Sequence, residues 1–355
     1  MAERKKPAAQ PLLSNNDFRN TQLDLFQNFL CNTQHEGDQL SNTIDLWDNI
    51  PRYSISRQAM GKLRTAEGFL DLHELTFSYK GNRLKVIIQP ARIREEDGKT
   101  TDYYPSASEE LVEDALRKIA AEQQRGFFDK TNFRSGVVFS LYMLREELRQ
   151  RGHSRSYQEI IRSLQILSGS LIEISSDEGN DMEAFSRTNY LPALTAVSRR
   201  KLSKNPEAKW VAQFHPLVTH SIDALTYRQF NYHRMMAHST QLARWLHKQL
   251  SLKFTFASPT TTFNMSYLSI KRDSALVNYK RERDGIEAVS NAFEELQTKK
   301  VLQQVTREEI LGPRGKIEDV KYTLHATIEF IREMKAANKR LTAAVDNSGT
   351  AKKSR

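Results

Sequence analysis

The order of elements between residues 134 and 197 most constrains what this chain can fold into. SYQEIIRSLQILSG carries Ser156 and, three residues on, Glu159, a pair that reciprocally satisfies two orphaned N–H donors at a helix start. Ile160, Ile161, Leu164 and Leu167 recur with the helical period on one face, while Gln158, Arg162 and Gln165 point the other way. Upstream, SGVVFSLYMLREELRQRG predicts a helix that stops at Gly152, a residue suited to the left-handed conformation of a helix end. HSRS is a short turn. Downstream, SLIEIS predicts a strand, DEGND a tip and FSRTNYLPALTAVS a returning strand.

Helix, turn, helix, hairpin is the order of a winged helix, and the chain shows it twice. NYHRMMAHSTQLARWLHKQLSLKF predicts one long helix with Met235, Leu242, Trp245, Leu246 and Leu250 as its core stripe. NMSYLSIKRDS predicts a short helix. NYKRERDGIEAVSNAFEELQTKK predicts a third, buried through Ile286, Val289, Phe293 and Leu296. VLQQVT, REEILGPRGKIED and VKYTLHATIEF follow as strand, wing tip and strand. Ahead of both units, Pro51 breaks IDLWDNIPRYSISRQ, ELTFSYKGNRLKVIIQPARI alternates as a hairpin about Gly81-Asn82, and SASEELVEDALRKIAAEQ opens a helix. The expectation is an α+β chain of two tandem winged-helix domains with a flexible N-terminal tail. The tail is placed at 1–40, the first domain at 41–200, the second at 205–341 and a disordered polar end at 342–355.

Hydrophobic residues fill 39% of the 355 positions and charged ones 27%, the balance of a soluble protein with core enough for two domains. No run of about 20 apolar residues is present to span a bilayer, and the leader lacks the apolar heart of a signal peptide. The lone Cys31 excludes an internal disulfide framework and suits a reducing cytoplasm. The net charge of +10 is concentrated: between Arg199 and Arg283, Lys and Arg number 15 against 4 Asp and Glu. Such a region favours a polyanion whose phosphates release counterions on contact. A solvated basic face or a membrane-surface patch are the alternatives.

An α-helix fits the major groove of duplex DNA with its first turn foremost. The later helix places Lys280, Arg281 and Arg283 in its predicted first turn, after Lys271 and Arg272. Cations there oppose the helix dipole, a cost that a phosphate or a guanine would offset; an ordinary charged face is the alternative. The earlier helix offers Arg155, Gln158, Arg162 and Gln165, of the types that read guanine and adenine bidentately. The same face would serve equally as a dimer surface. On the second wing tip, Arg314 and Lys316 are placed to reach a backbone or minor groove, unless they serve solubility alone.

Several enzyme classes find no support. GPRGK at 312–316 has the wrong spacing for a phosphate loop and no following hydroxyl. His233 and His238 diverge, no cysteine-based zinc pattern exists, and the acids do not cluster as a nuclease metal site requires. Tyr103, Tyr104, Tyr279 and Tyr322 read as packing or phosphate-contacting groups rather than nucleophiles. No catalysis, metal or cofactor is expected.

The stretch TQLDLFQNF, from Thr21, is apolar where a polar leader has no need to be. It either docks on the protein's own core or is bait for a partner. Gln22-Leu23-Asp24-Leu25-Phe26 resembles the bacterial sliding-clamp binding motif, matching it at every position. TYRQFNYHRMMAHSTQLARWLHKQL (226–250) and DSALVNYKRERDGIEAVSNAFEELQTKKVL after it resemble the terminal DNA-binding domain of theta-type plasmid replication initiators of the TrfA type. The resemblance covers roughly residues 20–305. The hairpin near 75–90 and residues 306–355 have no counterpart in it. It implies a bacterial, cytoplasmic protein that binds tandem repeats (iterons) in double-stranded origin DNA through both winged helices. It further implies opening of an adjacent AT-rich segment, with single-stranded DNA as a further ligand, and recruitment of the host initiator, replicative helicase and sliding clamp. Members also shift between a homodimer, formed through the first winged helix, and an active monomer. A winged-helix transcriptional regulator on one palindromic operator is the competing reading from the residues.

Overall fold

The computed structural model describes residues 39–95, 97–121, 125–176, 185–197 and 205–353. The pentapeptide Gln22–Phe26 and nearly all of the predicted N-terminal tail lie outside them.

The first winged helix is built from α3 (Ala107–Ala120), β7 (Arg134–Ser140), α4 (Leu141–Gln150), α5 (Tyr157–Gly169), β8 (Leu171–Ser176) and β9 (Phe185–Asn189). The capping box forms as predicted: Glu159 N donates to Ser156 Oγ at 3.2 Å and Ser156 N to the Glu159 carboxylate at 2.7 Å. Gly152 takes φ +84° where α4 ends. The helix predicted from 134, however, begins only at Leu141. Val137, Val138 and Phe139 are β-formers, and they make β7 a strand paired on both sides. Ser140 then caps α4, accepting from Met143 N at 3.2 Å.

The hairpin near residues 75–90 is β2 (His73–Tyr79) and β3 (Asn82–Gln89), and its turn is Lys80-Gly81, both at positive φ. It widens the first wing into an antiparallel sheet of order β2-β3-β8-β9, with Leu84 to Gln89 paired against Ser176 to Leu171. The returning strand breaks at Tyr190–Pro192. Its second part, β10 (Ala193–Val197), passes to another sheet of order β10-β11-β7-β6, completed by β6 (Gly126–Asp129) and β11 (Lys209–Gln213). A ribbon of β4 (Ala91–Arg94) and β5 (Thr100–Tyr103) lies along α5. The approach is close: a Cβ on Gly169 would sit 3.0 Å from that of Ala91.

The second unit has α8 (Gln241–Lys253), β13 (Thr262–Ser266), α9 (Tyr267–Ser274), α10 (Glu282–Thr298), β14 (Leu302–Leu311) and β15 (Ile317–Ala326), with strand order β13-β15-β14. The predicted stripe of Ile286, Val289, Phe293 and Leu296 is buried against Val320, Tyr322 and Leu324. α11 (Ile328–Lys353) closes the unit through Phe330, Ile331 and Met334. It runs past the end predicted at 341, with no proline to interrupt it.

The division between the two cores falls at about 237–241, not at 200–205. Trp210 pairs with Phe139 across the first unit's sheet. β12 (Tyr227–Asn231) pairs with β1 (Leu40–Ile44), and Met235 and Met236 lie in the first core. The single long helix predicted through 231–254 is therefore two: α7 (Tyr232–Met236) and α8. Thr240 restarts the chain, its hydroxyl accepting from Ala243 N at 3.2 Å.

A buried ionic cluster joins the units. Lys248 on α8 reaches Asp114 at 2.6 Å and Glu110 at 3.3 Å on α3. Arg117 binds both oxygens of Asp48, on α1 (Asp45–Asn49), at 2.8 and 2.9 Å and Asp114 at 2.6 Å. Arg52 bridges Asp48 and Glu113 at 3.2 and 3.0 Å. Burial presses these carboxyls toward neutrality. At Asp48 the charges of Arg117, Lys248 and Arg52 outweigh it and hold the carboxyl far below the usual range. Burial is likewise outweighed at Glu113, which Arg52 and Arg117 hold at about 2. At Asp114 burial prevails over Lys248 and Arg117, and its carboxyl is pushed up. The acids of α3 are thus an internal surface.

Candidate nucleic-acid interface

The start of α10 is positioned from both sides. α9 ends on Ala275 in the left-handed region, φ 51°, and Val277 is buried in the connecting turn. Gly285 allows α9 and α10 to cross closely: a Cβ there would lie 2.4 Å from the Tyr267 hydroxyl. That hydroxyl passes over the glycine and donates to Glu282 at 2.6 Å. The helix begins at Glu282, with Glu282 and Asp284 in its first turn, as the macrodipole prefers. Arg281 is therefore its N-cap, in extended conformation and without a side-chain cap, and Lys280 precedes it. Of the three predicted first-turn cations, only Arg283 is inside the helix, so the electrostatic cost is smaller than the sequence implies.

Lys280, Arg281 and Arg283 are exposed. Among the described residues their side chains have no hydrogen-bond or ion-pair partner. Exposed Asn278 and Tyr279 extend the same surface; the sequence reading offered Tyr279 as a packing or phosphate-contacting group and gave Asn278 no role. Lys271 and Arg272 are not free: Lys271 pairs with Glu282 at 2.5 Å and Arg272 with Asp273 at 2.6 Å. Asp273 also accepts from Ser78 N at 3.2 Å, which docks the β2–β3 turn on α9.

Other cations of the basic segment are internal struts. Arg228 binds the Ser251 carbonyl and Asn338, Arg234 binds Glu333, and Arg244 binds the His238 carbonyl. Together with Lys248 they hold the fold rather than a ligand.

In the first unit, α5 exposes Gln158 and Gln165. Arg162 is held by Glu95, between β4 and β5, at 2.6 Å, and Arg155 donates to the Ser154 carbonyl at 2.9 Å. The ribbon thus occupies part of the face that the sequence offers for base reading. The tip of this wing, 177–184, lies outside the described residues. On the second wing Lys316 is exposed, and Arg314 belongs to the tip turn Pro313–Gly315.

The fold and this surface define an α+β protein of two winged helices, the second presenting an unpaired cationic helix start beside a projecting hairpin. No protein-family model matches the sequence, and no curated protein matches it. Among solved structures, a selenomethionine derivative of domains 2 and 3 of RctB aligns at a TM-score of 0.47 and 11% identity. It covers 74% of this chain and 94% of that one. A second structure of RctB domains 2–3 gives 0.45 and 11%, over 78% and 97%. The Pi initiator protein in complex with iteron DNA gives 0.42 and 12%, over 62% and 91%. The functional reading below rests on this chain's own residues.

Proposed function

We propose that this protein binds duplex DNA at a replication origin as an initiator, with the start of α10 in the major groove. The observation that carries DNA binding is the contrast within one basic segment. Arg228, Arg234, Arg244, Lys248, Lys271 and Arg272 have internal partners, while Lys280, Arg281 and Arg283 stand exposed without one. Cations left unpaired at an uncapped helix start suit phosphate and guanine contacts. α5, through Gln158 and Gln165, supplies a second and less charged contact.

The initiator role rests on Gln22–Phe26. Leu25 and Phe26 each contribute roughly 1.5–3 kcal/mol when fully buried in a partner groove. Conformational entropy lost on binding offsets part of that gain, so the contact with the sliding clamp is transient. Recruitment of the host initiator and helicase belongs to the same reading, as does opening of AT-rich DNA without ATP at the expense of binding free energy.

Footprinting on DNA flanking the gene tests the reading. An initiator protects several repeats spaced by about one or two helical turns; one protected palindrome over the promoter would establish a transcriptional regulator instead. The Leu25→Ala/Phe26→Ala variant is expected to lose clamp pull-down and keep duplex binding. Undiminished pull-down would remove the clamp from the proposal.

A further inference from the structure

The second wing ends in aliphatic side chains that the core does not use. β14 is exposed throughout from Thr306, and β15 is first buried at Val320, so the hairpin projects beyond the domain. At its end Leu311 is 60% exposed, Ile310 46% and Ile317 39%, with Pro313 exposed beside them. Backbone hydrogen bonds close the tip: Gly312 N donates to the Lys316 carbonyl at 2.8 Å and Gly315 N to the Gly312 carbonyl at 3.2 Å. A register shift between Ile310 and Leu311 adds local twist.

The base of this hairpin adjoins the cationic helix start. Asp319 accepts from Leu268 N at 3.0 Å, and the neighbouring Tyr267 holds Glu282, the first residue of α10. Two acids of the shaft face cations. Glu309 pairs with Arg307 at 2.5 Å, and Glu308 lies across from Lys321. Glu318 packs over Gly312, where a Cβ would meet its carboxylate. Beside that carboxylate the tip presents exposed Lys316 and the aliphatic side chains.

An apolar point beside cations fits a polyanion with an apolar interior, which is the base stack of duplex DNA reached through its groove. We propose that the second wing tip is a wedge. Ile310, Leu311 and Ile317 enter the minor groove of an A·T-rich duplex and part a base step, while Lys280, Arg281 and Arg283 hold neighbouring phosphates. Leu, Ile and Pro are the side chains that part steps in minor-groove complexes, and TA steps part most easily. This deepens the proposed function and rests on it.

The test uses the full chain and a duplex of about 30 bp, A·T-rich, with 2-aminopurine at a TA step and fluorophores at both ends. Wild type is expected to raise 2-aminopurine emission and shorten the end-to-end distance. The Ile310→Ser/Leu311→Ser/Ile317→Ser variant is expected to bind within about threefold of wild type and to lose both signals, while Leu311→Met keeps them. A triple variant that unstacks and bends like wild type overturns the wedge, as does wild type that binds with neither signal. Wild type that binds no duplex sinks the DNA-binding reading itself, and the wedge with it.

Discussion

Replacing Lys280, Arg281 and Arg283 together with Ala should weaken duplex binding by about two orders of magnitude near 0.1 M salt and lower the salt slope by roughly 3, one unit per lost phosphate contact. The variant should fold normally, since all three side chains are exposed and make no contact that supports the core. Changing Lys271 and Arg272 should cost much less, because Glu282 and Asp273 already neutralise them. Affinity measured against salt for the two variants separates these outcomes. A triple variant with an unaltered slope would move the interface away from α10.

The other large effect lies at the joint. Lys248→Met leaves Glu110 buried without its cation and Asp114 with Arg117 alone, and breaking a buried pair from one side costs about 3–5 kcal/mol. Urea unfolding at pH 7 should show that loss, and Lys248→Met/Asp114→Leu should recover most of it. The sign of the pH dependence follows from Asp114, whose carboxyl burial already pushes up. Without Lys248 it is pushed up further, so the folded variant binds a proton the unfolded chain releases. Its deficit should therefore shrink as pH falls below neutrality and return as pH rises. A single variant as stable as wild type would mean that the cluster does not hold the units together.

The parts of this fold legible in sequence were those written locally. Ser156 and Glu159, Gly152 and the stripe on α10 each declare themselves within a few residues, and each is found as read. The first winged helix follows from the former three and the second from the stripe. The errors have one physical source, which is that local pattern equates charge with solvent. The acids of EELVEDALRK are buried because Lys248, more than a hundred residues on, completes them, and nothing local declares it. Arg162 looked free because Glu95 is distant in sequence. The bias of 15 to 4 overstated the ligand surface, since Arg228, Arg234 and Arg244 are spent inside the fold. The division near residue 240 was hidden for a related reason: β11 and β12 belong with strands laid down far earlier in the chain.

The cluster of Lys248, Asp114, Arg117 and Asp48 also sets a length. Its charges are satisfied only when α3 and α8 lie at one separation, and the β2–β3 turn on Asp273 ties α9 to the first wing as well. A molecule so joined is a caliper. With both units on DNA as proposed, two heads fixed at one gauge would discriminate by the phase between their targets as much as by the letters in each, and half a helical turn of inserted DNA, about 5 bp, would be a graver error than a changed base.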